Sequence, residues 1–157
     1  MLKQLLIIYK FIIIFSLISL PSYADLIKPN NKIEPYQVVK IQLKSLKEND
    51  RPIKDSGIEQ TWQFAHPDNQ KITGPLNKFK SMIKGKDYRV LLNHLDHKVV
   101  EIKITDLIAL FEVIVLDKDK AYYKFNWQVE KYTVDGPLKD CWLTTVVSTS
   151  TSLGSSI

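Results

Sequence analysis

The chain has 157 residues, 45% of them hydrophobic, 25% charged and 10% aromatic, and its formal net charge is +5. That is the composition of a folded globular protein, which sets aside disordered, collagen-like and disulfide-dense classes. Its single cysteine, Cys141, excludes an internal disulfide and a four-cysteine zinc site, and five dispersed glycines form neither a dinucleotide fingerprint nor a phosphate-cradling loop.

Residues 5–20 are almost wholly apolar behind the basic Lys3, interrupted by Tyr9 and Lys10. Pro21 breaks the run, and Ser22 and Ala24 supply the small side chains that a signal peptidase reads before its cut. This layout predicts a signal peptide over residues 1–24, cleaved after Ala24, and so an exported protein, periplasmic or secreted. An uncleaved anchor would need about 20 apolar residues, and this run is shorter and carries Lys10. No stable membrane span is therefore expected after cleavage. The leader holds two lysines and no acid, so the mature chain keeps 20 basic and 17 acidic residues, a net charge of +3. Only Arg51 and Arg89 are arginine, the residue best suited to bidentate phosphate recognition, and the lysines are spread along the chain. A solvated, lysine-biased surface and no nucleic-acid partner follow.

Residues 25–34 are polar and read as a flexible lead-in. Pro35 suits the first turn of a helix, where its missing N–H costs nothing. Tyr36, Val39, Leu43 and Leu46 then recur at helical spacing until Asn49, Asp50 and Pro52 end the pattern. A second helix is predicted over 57–64, with Ile58, Trp62 and Ala65 on one side. His66-Pro67-Asp68-Asn69 reads as a turn. Thr73 is placed as the N-cap of a third helix from Pro75, whose Leu76, Phe79 and Ile83 share a face, with Gly85 as its stop. Residues 88–92 suit one further turn.

From His97 the period changes to two. Val100, Ile102 and Ile104 alternate with Glu101 and Lys103, which predicts a half-buried strand. Residues 107–116 are apolar except for Glu112 and rich in β-branched side chains, which favours a central strand. Residues 121–129 alternate most clearly, with Tyr123, Phe125 and Trp127 on the inner face. Asp135-Gly136-Pro137 makes a turn, and 138–147 is the predicted final strand. Helices followed by an antiparallel meander make residues 35–147 a single α+β domain. Residues 148–157, nearly all Ser and Thr, read as a disordered tail.

Several of these segments, taken in order, resemble one family. They are Gln42-Leu43 with Asn49-Asp50; Gly57-Ile58 leading to Trp62, Phe64, Ala65, Pro67 and Asn69; Thr73-Gly-Pro-Leu76 with Phe79 and Met82; Tyr88 with Leu91-Leu92; and Cys141-Trp142. Together they resemble domain of unknown function family 4864, itself similar to the nuclear-transport-factor-2-like superfold. The resemblance covers residues 35–147 and is most specific between Phe64 and Leu76. It implies helices packed in the concave face of a curved antiparallel sheet, a cone that often encloses a pocket. It implies no reaction, because this superfold hosts enzymes, ligand binders and interaction modules alike. The chain departs from the family at Leu143-Thr-Thr-Val146, where an acidic residue and a glycine are usual, and at His66, where a small residue is usual.

The chemically capable residues have competing plain readings. His94 and His97 lack the third fixed ligand that a zinc site wants, and read as surface histidines; no metal and no cofactor is expected. His66 with Asp68 could exchange protons, but a turn whose backbone Asp68 or Asn69 caps explains them as well. Glu112 is the sharper catalytic candidate, since a carboxylate on an apolar strand facing a cavity would have its pKa raised by desolvation; solvent or a structural ion pair is the alternative. Cys141 has no base beside it and reads as inert. Trp62, Phe79, Tyr88, Phe125, Trp127 and Trp142 are the aromatics expected to meet inside the cone and to line any pocket.

The leading expectation is thus a non-catalytic exported domain that binds a small ligand or an envelope protein, with a homodimer compatible. A small hydrolase or isomerase using a pocket carboxylate, or an interaction module with a filled cone, are the alternatives. Cavity volume and lining separate them.

Overall fold

A computed structural model describes residues 25–155. The predicted leader, residues 1–24, lies outside the described residues. Among the described residues four helices precede a five-stranded, curved antiparallel sheet, an α+β arrangement. The helices are α1 (Pro35–Lys47), α2 (Ser56–Gln63), α3 (Pro67–Thr73) and α4 (Leu76–Ile83), followed by a 3₁₀ turn at Arg89–Leu91. The strands are β1 (Asp96–Ile104), β2 (Ile108–Leu116), β3 (Ala121–Lys131), β4 (Trp142–Val147) and β5 (Thr151–Ser155). The order across the sheet is β1-β2-β3-β4, with β5 also on β3.

The helix starts follow from local hydrogen bonding. Glu34 and Gln37 form a reciprocal capping box ahead of Pro35. At the start of α2, the Asn49 carbonyl accepts from Gly57 N and its side-chain Oδ1 accepts from Ile58 N, so two orphan donors are satisfied by one buried residue. The close approach this requires is possible because residue 57 is glycine: a Cβ there would sit 2.0 Å from the carbonyl oxygen of Ser45.

The helices cover one face of the sheet. Val38, Val39, Leu43 and Leu46 of α1 and Ile58 of α2 pack with Phe79 and Ile83 of α4 on the inner residues of β2 and β3. Those inner residues are Ala109, Phe111, Val113 and Val115, and Phe125, Trp127 and Val129, all buried. Strand β3 therefore has the register its alternation predicts, with Tyr123 half-buried at the near end.

Other elements differ from expectation. Residues 66–69 are not a free turn: Pro67 opens α3, and His66 is its N-cap, Nδ1 accepting from Asp68 N. Thr73 ends α3, its hydroxyl bonded back to Asn69 O, and Pro75 rather than Thr73 caps α4. In β1 the inner face is His97, Val99 and Glu101, opposite Val115, Val113 and Phe111; a register shift between Glu101 and Lys103 then brings Ile104 opposite Ala109. Val100 thus faces outward, and Ile102 is the extra residue of the bulge. Residues 138–141 belong to a loop closed by bonds between Tyr132 and both Asp140 and Cys141, so the last inner strand starts only at Trp142.

The two polar ends are also tied down. Gln60 holds the lead-in by accepting from Ile27 N and donating to Ile27 O. The Ser/Thr segment read as a disordered tail forms β5, which continues along the same edge of β3 that β4 occupies further on. Between them Ser148 bridges the gap, donating its N–H to Asn126 O and accepting from Asn126 N on its hydroxyl.

Candidate ligand cavity

Between the helices and β4 lies a cavity of about 200 Å³. Leu46 of α1, Ala65, Phe79, Met82 and Ile83 of the helical layer, Tyr88 and Leu91 form much of its apolar wall. Trp127 and β4, from Thr144 to Val147, close it from the sheet side.

Its polar floor is one network around Gln42. Gln42 is 1% exposed, and its Oε1 accepts from Thr144 Oγ1 at 2.7 Å and from Trp127 Nε1 at 3.2 Å. Its Nε2 donates to Thr61 O at 3.1 Å. The indole N–H also reaches Thr144 Oγ1, at 3.3 Å. Asn69 of α3 donates to the carbonyls of Thr144 and Thr145, and Tyr88 donates to Val147 O. Three elements are fixed to β4 in this way. Burial, aided by Asp87, pushes the Tyr88 phenol above its ordinary value, so it stays protonated.

Among the described residues, every lining polar side chain is an amide, a hydroxyl or an indole N–H, and none is a carboxylate, imidazole, ammonium or thiol. Tyr88, held neutral, is its one titratable side chain. Such a wall can orient a neutral molecule by hydrogen bonds; it offers nothing to move a proton at neutral pH.

The predicted aromatics divide evenly. Phe79, Tyr88 and Trp127 line the cavity; Trp62, Phe125 and Trp142 do not. Trp62 instead packs on Phe79 with ring centroids 4.8 Å apart, Phe125 is fully buried in the core, and Trp142 lies beneath the Lys131 ammonium. The catalytic candidates stand elsewhere. Glu112 is on the outer face of β2, 3.4 Å from Lys124, with Leu110 and Ile114 beside it on a partly exposed surface. His66 uses Nδ1 for the α3 cap and sets its ring edge-on to Tyr132, while Asp68 turns to Lys71, whose hydrogen bond lowers its carboxyl pKa. Cys141 is buried, and burial with the Asp140 charge raises its thiol. A thiol so placed is a poor nucleophile.

Sequence reasoning missed Gln42 and Thr144 as functional residues. Gln42 carried a detectable signal, an amide on the buried stripe of α1 between Val39 and Leu43. Thr144 carried none. Among the described residues no group of three or more His, Cys, Asp or Glu is placed to hold a metal ion, and no helix is long and apolar enough to cross a membrane. The chain matches no family model, no curated protein and no solved structure at a significant level.

Proposed function

We propose that this protein is an exported, non-catalytic binding domain whose cavity takes up a small, neutral, largely apolar molecule. The observation that carries the reading is the lining: aromatic and aliphatic walls, a hydrogen-bonded amide and hydroxyl floor, and no acid or base. A dry cavity of about 150 Å³ is enough for benzene, so about 200 Å³ has room for one ring with short substituents. For a ligand of that size, affinity in the micromolar to millimolar range is expected. The signal-peptide pattern supports export. The resemblance to family 4864 supports a cone-like relative of the nuclear-transport-factor-2-like superfold, in which such pockets are common. The hydrolase reading has no support from the cavity, because Glu112, His66 and Asp68 all lie outside it.

The test is to purify the protein from its native source, extract it, and identify bound small molecules by mass spectrometry beside an Ala65→Leu variant. Ala65 lines the cavity and is buried, so the larger side chain should fill the space and leave the variant empty while it still folds. Wild-type and variant extracts of identical composition would refute the reading.

A further inference from the structure

A second site lies outside the cavity lining, where the loop before β1 meets α1. The carbonyl of Leu91 can only accept, so His94 Nδ1, at 2.7 Å, carries a proton toward it. In the neutral ring His94 Nε2 is then a lone pair. It lies 2.7 Å from His97 Nδ1, which must be the donor. The rings meet edge to face with centroids 5.0 Å apart. Neutral His97 is left with Nε2 as its free position.

His97 lines an open groove of about 400 Å³ together with Lys40, Lys44 and Lys47 of α1, Ile41 and Glu48. The three lysines share one face of α1 through their four- and three-residue spacing. Their counter-charges are weak. Lys47 is 3.9 Å from Asp96, which is itself 79% exposed; the Lys40 ammonium lies 5.8 Å over the Tyr36 ring; Lys44 has no ion-pair partner among the described residues. The charges acting most directly on His97 are Lys47 and Lys40 from α1 and Asp96 from its own strand, with the His94 ring hydrogen-bonded to it, while Lys44 and the Glu48 carboxylate complete the charged lining of the groove.

We propose that this groove binds a doubly charged oxyanion of the sulfate or phosphate type between Lys40, Lys44 and Lys47, with His97 Nε2 taking a proton from solvent to become a fourth donor. The hydrogen-bonded pair accepts one proton without rearrangement. On His97 Nε2 it leaves both existing hydrogen bonds intact; on His94 Nε2 it would set two N–H groups against each other. Burial accordingly holds His94 down, to about 4. Burial, with Lys47 and Lys40, holds His97 below its ordinary value. An anion seated among the lysines neutralises their effect and raises His97, and by linkage the anion binds more tightly as pH falls through that range.

Potassium sulfate is the probe, because it remains a dianion throughout the range in which histidine titrates. Its binding is read from the imidazole ¹⁵N shifts of the purified chain. Sulfate should move the His97 Nε2 signal toward the protonated position, and affinity should rise as pH falls, by up to about tenfold per pH unit where binding brings His97 its proton. His97→Asn keeps an amide N–H near the old Nδ1, to donate to His94, and removes Nε2; its sulfate affinity should change less than about twofold across the same range. Lys44→Ala, on an exposed helix face, should weaken binding about three- to tenfold at every pH with the melting temperature unchanged. Should His97→Asn fail to fold, the Lys44→Ala titration and the His97 shift decide alone. Affinity independent of pH in the wild type, or equal in wild type and Lys44→Ala, or no His97 response at all, would overturn the proposal. Vesicles of phosphatidylglycerol in phosphatidylcholine separate the sources. Vesicle binding that sulfate competes and Lys44→Ala loses assigns the oxyanion to a lipid headgroup; sulfate binding without it assigns a soluble anion.

Discussion

Gln42→Glu tests the polar floor of the cavity with almost no change of shape. With the introduced carboxyl protonated, all three bonds can be reproduced, its O–H donating to Thr61 O while the other oxygen accepts from Thr144 and Trp127. With that carboxyl ionised they cannot, because a carboxylate has no proton for Thr61 and pays for desolvation at a site 1% exposed. The folded-state pKa of the new group should rise by about 3 from the unfolded value of about 4.3. Sign and size then follow from linkage. The raised folded pKa means that stability is fully present below pH of about 4 and is lost as pH rises toward about 7, at about 1.4 kcal/mol per unit, or about 4 kcal/mol in all. Relative to wild type, Gln42→Glu should cost under about 1 kcal/mol at acid pH and about 4 kcal/mol above neutrality. Gln42→Leu strands the Thr144 hydroxyl instead and should cost about 2 kcal/mol at any pH. Urea melts of the three proteins at several pH values, each variant compared with wild type at the same pH, supply the numbers. A Gln42→Glu penalty that stays flat with pH would refute the argument, since it would mean that water reaches the side chain and solvates its charge.

Three further outcomes are expected. Trp127→Ala should cost about 3–5 kcal/mol, enough to unfold a typical domain or nearly so, while Gln128→Ala on the outer face should cost under about 0.5 kcal/mol; urea melts with equal losses would contradict the register of β3. Gly57→Ala should cost about 3 kcal/mol, because the added Cβ meets backbone at Ser45, which has no rotamer to change; thermal melts indistinguishable from wild type would show that α1 and α2 can separate at no cost. His94 is held down to about 4 by burial, below the unfolded value of about 6.5, so between those values the unfolded chain binds the extra proton and stability falls as pH falls. The loss should reach about 2–3 kcal/mol and should begin above pH of about 5, before the carboxylates titrate; a His94→Gln variant with the same slope in that range would exclude His94 as the source.

Much of the architecture is decided locally and was legible in the sequence. The inner face of β3 follows from strict alternation, because a strand buried on one face can place its large apolar residues in only one register. The buried stripe of α1 follows likewise from its 3.6-residue period, apart from Tyr36, which that spacing put with the core and which is 40% exposed at its edge, its ring tilted against Phe111. Period alone failed at β1, where the bulge at Ile102 exchanges the faces partway along the strand. Composition failed at β5: serine and threonine bury little, but the unpaired edge of β3 needs backbone partners, and any backbone supplies them. Pro67 after a capping side chain was a readable helix start, yet a helix of only seven residues has too short a pattern to show a period.

The two candidate sites belong to tertiary structure. Gln42 and Thr144 meet across 102 positions, and nothing near either residue announces the other. His94 and His97 are close in sequence, but whether they lie in solvent or as a buried, hydrogen-bonded pair depends on how Leu91 and α1 pack around them. Local pattern settles which residues turn inward, because a helix or strand has one apolar face to bury. Which inward-facing polar groups meet is settled only when separate elements close on one another, since each must find its donor or acceptor there or leave it unsatisfied.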